Sequence, residues 1–317
     1  MTNATGRRVV RALFGTAGLV ICGFGLASGP GLAQAPSPYA RINAAAAAGP
    51  IAIHQLRGNI RVLEGSGGNI GVLPGPDGIL LVDAGIAVSR EKILAALHSI
   101  NPGPIRYVID THWHWDHTDG NGWLRAAGAT VIADRSTAKR LTETIRVVEW
   151  EHTFTPIPPA QLPNMIIEDR KVLKFNGEEI LITSYAAGHT DTDLSVYFPT
   201  ADVLATGDVW WNGYFPFIDY VTGGSIDGAI RSAEDTLARV TDRTQIIPGH
   251  GPVGTRAELV AFRDMLVDVR AKVAALKQQG KSLEATIAAH PTADYDRKWG
   301  TGVIGPALFT ALVYRGV

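Results

Sequence analysis

One cysteine, Cys22, is the only thiol in the 317-residue chain, and it lies within the first 35 residues. Should that leader be removed, neither a thiolate metal ligand nor a cysteine nucleophile remains. A cysteine-free mature chain also suits an oxidising compartment. Basic runs are absent as well: the net charge is −1 and no Lys/Arg block stands out. A nucleic-acid surface is therefore disfavoured, since phosphate binding wants a basic stripe. After residue 35 no stretch is apolar for long enough to span a bilayer. A G-x-S-x-G nucleophile elbow is missing. Beyond the run Ala44 to Ala48 there is no low-complexity tract, and no short-period repeat.

The leader reads as an address. Arg7, Arg8 and Arg11 form a positive start without an acidic residue, and Ala12 to Ala27 is apolar and rich in Gly and Ala. Gly31-Leu32-Ala33 and Ala33-Gln34-Ala35 then offer small-x-small cleavage patterns. Cleavage after Ala33 is preferred, because Pro36 would sit badly just after the other cut. A membrane anchor is the alternative, but the apolar run is short and glycine-rich. Arg7-Arg8 hints at twin-arginine export, whereas Ile21 is bulky for a lipobox before Cys22. Removing three positive charges takes the net charge from −1 to −1 − 3 = −4. The expectation is a signal peptide over 1–33, a linker or loose arm over 34–50, and one domain over 51–317. Localisation is then periplasmic or secreted, with no stable membrane association after cleavage.

From Ile51 the pattern is short apolar runs broken by glycine and asparagine: IAIHQL, NIRVLE, NIGVLP and GILLVDAG. Such breaks suit hairpins, so this part reads as antiparallel. Ile93, Leu94, Leu97 and Ile100 sit at helical spacing, and IRYVID follows as a buried strand. KVLKFNGEEILITSY reads as a hairpin turning at Asn176-Gly177; LSVYFP, DVLATGD and TQIIPGHG supply further strands. SIDGAIRSAEDTLARV is a helix. A longer one, Thr255 to Gln279, opens with a Thr255/Glu258 capping box and carries Leu259, Phe262, Leu266, Val269, Val273 and Leu276 on one face. Strand-rich halves with interposed helices fit two packed sheets with helices outside, an α+β architecture.

The segment THWHWDHTDGN follows IRYVID directly. In a helix, residues two apart point to nearly opposite sides, but in an extended segment they face the same way. His112 and His114 can therefore reach one cation, while Asp116 and His117 fall where the chain turns and can aim at a second. Five of the nine histidines lie in loops after apolar strands, His189 and His250 completing the set, and Asp208 ends VLATGD. Imidazole and carboxylate are ligands that zinc takes at roughly 2.0–2.2 Å. Six such ligands plus a bridging carboxylate suit two ions sharing a water, roughly 3.5–4 Å apart. Chance assembly of H-x-H-x-D-H in such a chain is on the order of one in a few thousand, so coincidence loses. His54, His98, His152 and His290 are read as polar caps.

Five separated motifs, LVDAG, THWHWDH, GHTDTDLSVYFP, ATGD and PGHG, stand in the order found in the metallo-β-lactamase-fold hydrolases, and the chain resembles that family over nearly its whole length. The resemblance implies an αββα sandwich, two mixed β-sheets face to face with helices outside, and a dinuclear zinc site at one edge. It assigns His112, His114 and His189 to a first zinc, Asp116, His117 and His250 to a second, and Asp208 to the bridge. Asp83 resembles the family's buried carboxylate that orients ligands without binding metal; capping the turn of DAG is a compatible role.

A water shared by two zinc ions is acidified enough to give hydroxide at neutral pH. The expected reaction is attack of that hydroxide on an acyl carbonyl of a small-molecule substrate, with Asp116 orienting it and relaying a proton. Asp208 replaces the cysteine of the largest β-lactamase subclass, and Trp211 its substrate-holding lysine. An aspartate bridge resembles the thioesterase, lactonase and phosphodiesterase branches, yet GHTDTDLSVYFP is closer to the lactamases. β-Lactams, lactones, esters and thioesters all remain admissible. Iron at the same ligands, in a redox enzyme acting on sulfur compounds, is a second reading, manganese is also compatible with the ligands, and a non-catalytic metal-binding relative is a third. Trp210, Trp211, Tyr214, Phe215 and Phe217 either wall the pocket or form a core beneath their loop, while Trp113 and Trp115 are expected to turn into the core. Residues 143–163 read as an irregular segment, either lid or static loop. Arg256 is an anion anchor or a solvated helix start. No protein partner is inferable.

Overall fold

The glycine-broken runs after Ile51 pair as neighbours because each is too short and too apolar to stand alone. In the computed structural model, which describes Ala35–Val317, they form β1 (Ala52–Gln55), β2 (Arg61–Glu64), β3 (Ile70–Gly75) and β4 (Gly78–Val82), antiparallel throughout. Helix α2 (Arg90–Ile100) carries the chain back, so β5 (Ile105–Ile109) joins β4 in parallel. After α3 (Trp115–Thr118) and α4 (Asn121–Ala126), β6 (Thr130–Asp134) adds beside β5. Following α5 (Arg135–Arg140), a separate ribbon of β7 (Ile145–Val147) and β8 (His152–Phe154) precedes β9 (Met165–Ile167). The first sheet has the order β1-β2-β3-β4-β5-β6-β9.

The second sheet starts with β10 (Arg170–Phe175) and β11 (Glu178–Ser184), joined where Asn176 and Gly177 both take positive φ (49° and 81°), the geometry of a tight hairpin turn. β12 (Leu194–Phe198) and β13 (Val203–Ala205) continue the antiparallel pairing. Helix α6 (Ile226–Arg239) crosses over, and β14 (Gln245–Ile247) pairs with β13 in parallel. Helix α7 (Arg256–Gln278) opens with the expected capping box, in which the Thr255 N–H donates to Glu258 Oε2 at 2.9 Å and the Glu258 N–H to Thr255 Oγ1 at 3.4 Å. The chain ends in α8 (Leu283–Ala288), α9 (Ala293–Trp299) and α10 (Pro306–Gly316).

Two sheets packed face to face between helices make an αββα sandwich. Its central layer joins Val62, Leu80 and Ile109 of the first sheet to Ile180, Ile182 and Val196 of the second. Outside the first sheet, Ile93 and Leu97 of α2 cover Val72 and Val108; outside the second, α6, α7 and α10 bury Phe262, Leu266 and Phe309. No helix among the described residues is long and apolar enough to cross a membrane.

Two expectations need correction. The presumed loose arm over 34–50 contains an ordered helix, α1 (Pro38–Ala48). Alanine-rich sequence is the best helix former, and Ser37 caps it while Pro38 occupies the first turn. Tertiary contacts then pin both ends: Tyr39 stacks on His152 with ring centroids 3.6 Å apart, and the Lys92 ammonium donates to the carbonyls of Ala46, Ala47 and Gly49. Residues 143–163, expected to be irregular, hold the β7–β8 ribbon, whose Trp150 is buried. The signal-peptide expectation over 1–33 lies outside the described residues.

Fully buried Ile182 sits between the sheets, whereas Val267 on α7 is 43% exposed. Truncating Ile182 to Ala should destabilise the fold by about 2–4 kcal/mol in denaturant unfolding. Val267→Ala should change stability by less than about 0.5 kcal/mol.

Candidate metal centre

Every residue of the site comes from a loop at the same edge of the two sheets. β4 ends at Val82, and Asp83 turns the chain out with φ 70°. Its carboxylate accepts from the Thr111 N–H at 2.7 Å and the Thr111 hydroxyl at 2.9 Å, tying the β4 loop to the β5 loop. The same Oδ2 lies 2.8 Å from His117 Nδ1. The segment expected to be extended instead bends at Thr111, His112 and Trp113, which still brings His112 and His114 to one side. The one-turn helix α3 then swings Asp116 and His117 inward, its start marked by the bond from the His117 N–H to the His114 carbonyl at 3.1 Å. His189 follows β11, Asp208 follows β13, and His250 follows β14.

Two groups result, with ligand atoms in each within 4.8 Å of one another: His112, His114, His189 and Asp208 in one, and Asp116, His117 and His250 in the other. Asp208 faces both. Its Oδ2 lies 3.4 Å from His189 Nε2 and 3.8 Å from His112 Nε2. Its Oδ1 lies 3.1 Å from His117 Nε2 and 3.4 Å from His250 Nε2. Asp116 Oδ2 stands 3.3 Å from His250 Nε2. Space for this crowding comes from two glycines: a side chain at Gly68 would strike the His117 ring, and one at Gly249 would strike Asp208 Oδ1.

The outward ring nitrogens of four of the five histidines, His112, His114, His117 and His189, are occupied. His114 Nε2 meets Asp219 Oδ2 at 3.0 Å, and His189 Nδ1–H donates to the Phe217 carbonyl at 2.8 Å. His112 Nδ1–H can donate to Thr111 Oγ1 at 3.0 Å, because that hydroxyl spends its own hydrogen on Asp83. This fixes the tautomers, leaving lone pairs on the inward nitrogens, as metal-ligating histidines require. His112 Nε2, His117 Nε2, His250 Nε2 and Asp208 Oδ1 are buried and have no hydrogen-bond partner. Buried polar atoms left so are costly. His117 Nε2 and His250 Nε2 face Asp208 Oδ1 in one group and His112 Nε2 faces its Oδ2 in the other, an arrangement that fits cations on both sides of Asp208. The clusters thus fit a dinuclear metal site.

Burial and then the neighbouring His117 hold His112 well below the ordinary histidine range, and burial takes His189 down to about 4. Burial also opposes charging of His250, but Asp208 and Asp116 overcome it and raise that imidazole to about 9. For Asp208, burial is outweighed by His250, His117, His112 and His189, so its carboxyl lies well below the usual range and stays charged.

A profile of the metallo-beta-lactamase superfamily matches residues 63–250, and the chain belongs to that superfamily. It is 26% identical to a probable metallo-hydrolase of Methanocaldococcus jannaschii over 182 residues, 56% of this chain and 84% of that protein. Against metallo-beta-lactamase IND-1 of Chryseobacterium indologenes it is 21% identical over 163 residues, covering 51% of this chain and 62% of that one. Among solved structures, the sec-alkylsulfatase Pisa1 from Pseudomonas sp. superposes with TM-score 0.64 at 18% identity, over 84% of this chain but only 50% of that one. DIM-1 metallo-beta-lactamase gives TM-score 0.56 at 22% identity, over 69% of this chain and 98% of its own. These structural likenesses speak to fold.

A cavity of about 830 Å³ opens above the clusters. The structure divides the aromatic residues expected there: Trp211, Tyr214 and Phe217 line it, but Trp210 and Phe215 do not. Both are fully buried in one core cluster, Phe215 stacking on Phe309 of α10 at 4.6 Å and Trp210 lying against Gly254. Trp113 turns into the core as expected, its Nε1–H donating to Thr222 Oγ1 at 3.0 Å. Trp115 is buried yet also forms cavity wall, as does Trp150. Arg256 is a helix start paired with Asp242 at 3.8 Å and does not line the cavity.

Two carboxylates escaped sequence reasoning. Asp193 accepts from the His189 N–H at 2.7 Å and the Thr190 hydroxyl at 2.6 Å, clamping the loop that presents His189. Its position four residues beyond His189 was a readable signal, because short acidic side chains bond nearby backbone. Asp219 stands 105 residues from His114 and carried no such signal. Replacing Asp219 with Asn should lower metal affinity by about 10–100-fold while leaving the fold intact, as measured by competition with a chromophoric chelator.

Proposed function

We propose that the chain is an exported, zinc-dependent hydrolase that cleaves an acyl bond of a small molecule, whether β-lactam, lactone, ester or thioester. The single observation that carries this reading is the division of the Asp208 oxygens between two ligand clusters on the floor of an open cavity. His112, His114 and His189 would hold one ion, Asp116, His117 and His250 the other, with Asp208 between them. When bound, zinc supplies Lewis acidity and lowers the pKa of water toward neutrality.

The chain's own groups do the rest. Asp116 lines the cavity and orients the attacking water, accepting the proton it loses as its oxygen bonds to the acyl carbon. The same carboxyl returns that proton to the leaving heteroatom as the acyl bond breaks. Trp115, Trp150, Trp211 and Phe217 pack the apolar part of the substrate and exclude bulk water. Asp83 and Asp219 hold His117 and His114 in orientation. The ligand set equally admits iron, so elemental analysis of the purified protein comes before any assay.

The test is turnover of a chromogenic cephalosporin, a nitrophenyl ester, a lactone and a thioester by zinc-reloaded protein beside a chelated control. Chelator-sensitive hydrolysis of at least one is expected, and none from zinc-replete protein overturns the reading. Asp116→Asn should lower kcat by about 10²–10⁴-fold on whichever substrate is cleaved. A loss confined to KM would assign Asp116 to binding instead.

A further inference from the structure

Part of the cavity lining comes from segments outside residues 63–250, those matched by the superfamily profile. Helix α1 contributes Arg41 and Ile42, and the α9–α10 loop contributes Thr301, Gly302 and Val303. Gly302 packs closely on the Tyr214 ring, where an added Cβ would lie 2.9 Å from Cδ1, so that loop rests on the cavity wall. Resting on the hydrolase reading above, we propose that Arg41 is the anion anchor of this cavity. The substrates it selects then carry one oxyanion, a carboxylate or a sulfate, on an apolar body.

Four observations support the assignment. Arg41 is the one arginine or lysine among the described residues lining the cavity. Its guanidinium pairs with no carboxylate of the described residues and makes one bond, from Nη1 to the Pro36 carbonyl at 2.9 Å, which leaves most of its five donors free. Glu64, an acidic residue that also lines the cavity, is engaged by His54 at 3.1 Å. The helix bearing it is immobilised at both ends, by the Tyr39–His152 stack and by the Lys92 and Ser89 bonds to its last carbonyls. A fork of donors projecting from a fixed helix matches a planar or tetrahedral oxyanion. The intervening wall of Trp115, Trp150, Trp211 and Phe217 matches an apolar body.

The experiment is calorimetric binding of phenylbutyrate, neutral phenylbutyramide and phenylbutyl sulfate to zinc-loaded protein and to its Arg41→Ala and Arg41→Lys variants. Wild type should prefer the anions. Arg41→Ala should weaken anion binding about tenfold, a loss of about 1.4 kcal/mol, and leave the amide within about twofold. Arg41→Lys should retain part of the preference, since it keeps the charge but loses the fork. The anion with the larger Arg41 dependence identifies the group recognised. Unchanged anion affinity in Arg41→Ala, or no anion preference in wild type, overturns the proposal. Should the binding split persist while no acyl substrate is turned over, the hydrolase reading falls and the Arg41 assignment stands.

Discussion

Asp208 is the point on which the site closes. A carboxylate this buried, at 4% exposure, survives in charged form only because imidazoles surround both of its oxygens. The loops that bring them are far apart in sequence, and each must end its strand at the same edge. The architecture meets that requirement by stacking two sheets whose β5, β11, β13 and β14 all finish on one side. Burying seven polar ligands side by side would otherwise be strongly unfavourable, since each unpaired group loses water without compensation. The glycines at 68 and 249 and the bonds from Asp83, Asp219 and Asp193 follow from the same crowding: small residues admit the rings, and acceptors fix their outward faces.

Much of this was legible in sequence because it is local. His112, His114, Asp116 and His117 declare a shared cluster by their closeness, although the chain bends rather than extends through Thr111–Trp113. Asn176-Gly177 declares its hairpin, and Thr255 with Glu258 declares the start of α7. The sandwich itself could be read from apolar runs of strand length separated by turn residues. Illegible features depend on tertiary contact. Adjacent Trp210 and Trp211 are chemically identical, and only tertiary packing decides that the first is core and the second cavity wall, as the contact with Phe309 of α10 decides for Phe215. Asp219 finds its histidine across 105 residues. The alanine run looked loose by composition, and what makes α1 part of the fold is Tyr39 meeting His152.

The superfamily-matched region and the flanking segments divide the labour. Residues 63–250 supply the clusters and much of the cavity lining, on a fold shared at low identity with a sec-alkylsulfatase and with metallo-beta-lactamases. Helix α1 and the α9–α10 loop add to the lining from outside that region, beside Trp115, Trp150, Trp211 and Phe217 from within it. The cavity wall is thus shared between the superfamily-matched region and its flanks, whereas the ligand clusters belong to the former alone.

The packing of His112, His114, Asp116 and His117 into six consecutive residues has a thermodynamic consequence beyond the native site. An unfolded chain keeps that segment intact, so it still offers a cation several donors at high effective concentration, whereas His189, Asp208 and His250 are scattered. Stabilisation by a ligand is set by the difference in its affinity for native and unfolded chains, and binding to the unfolded form subtracts from it. A saturating metal ion would therefore protect this fold by less than its native affinity alone indicates. A nascent chain also acquires a place to capture metal before β14 has delivered the last histidine.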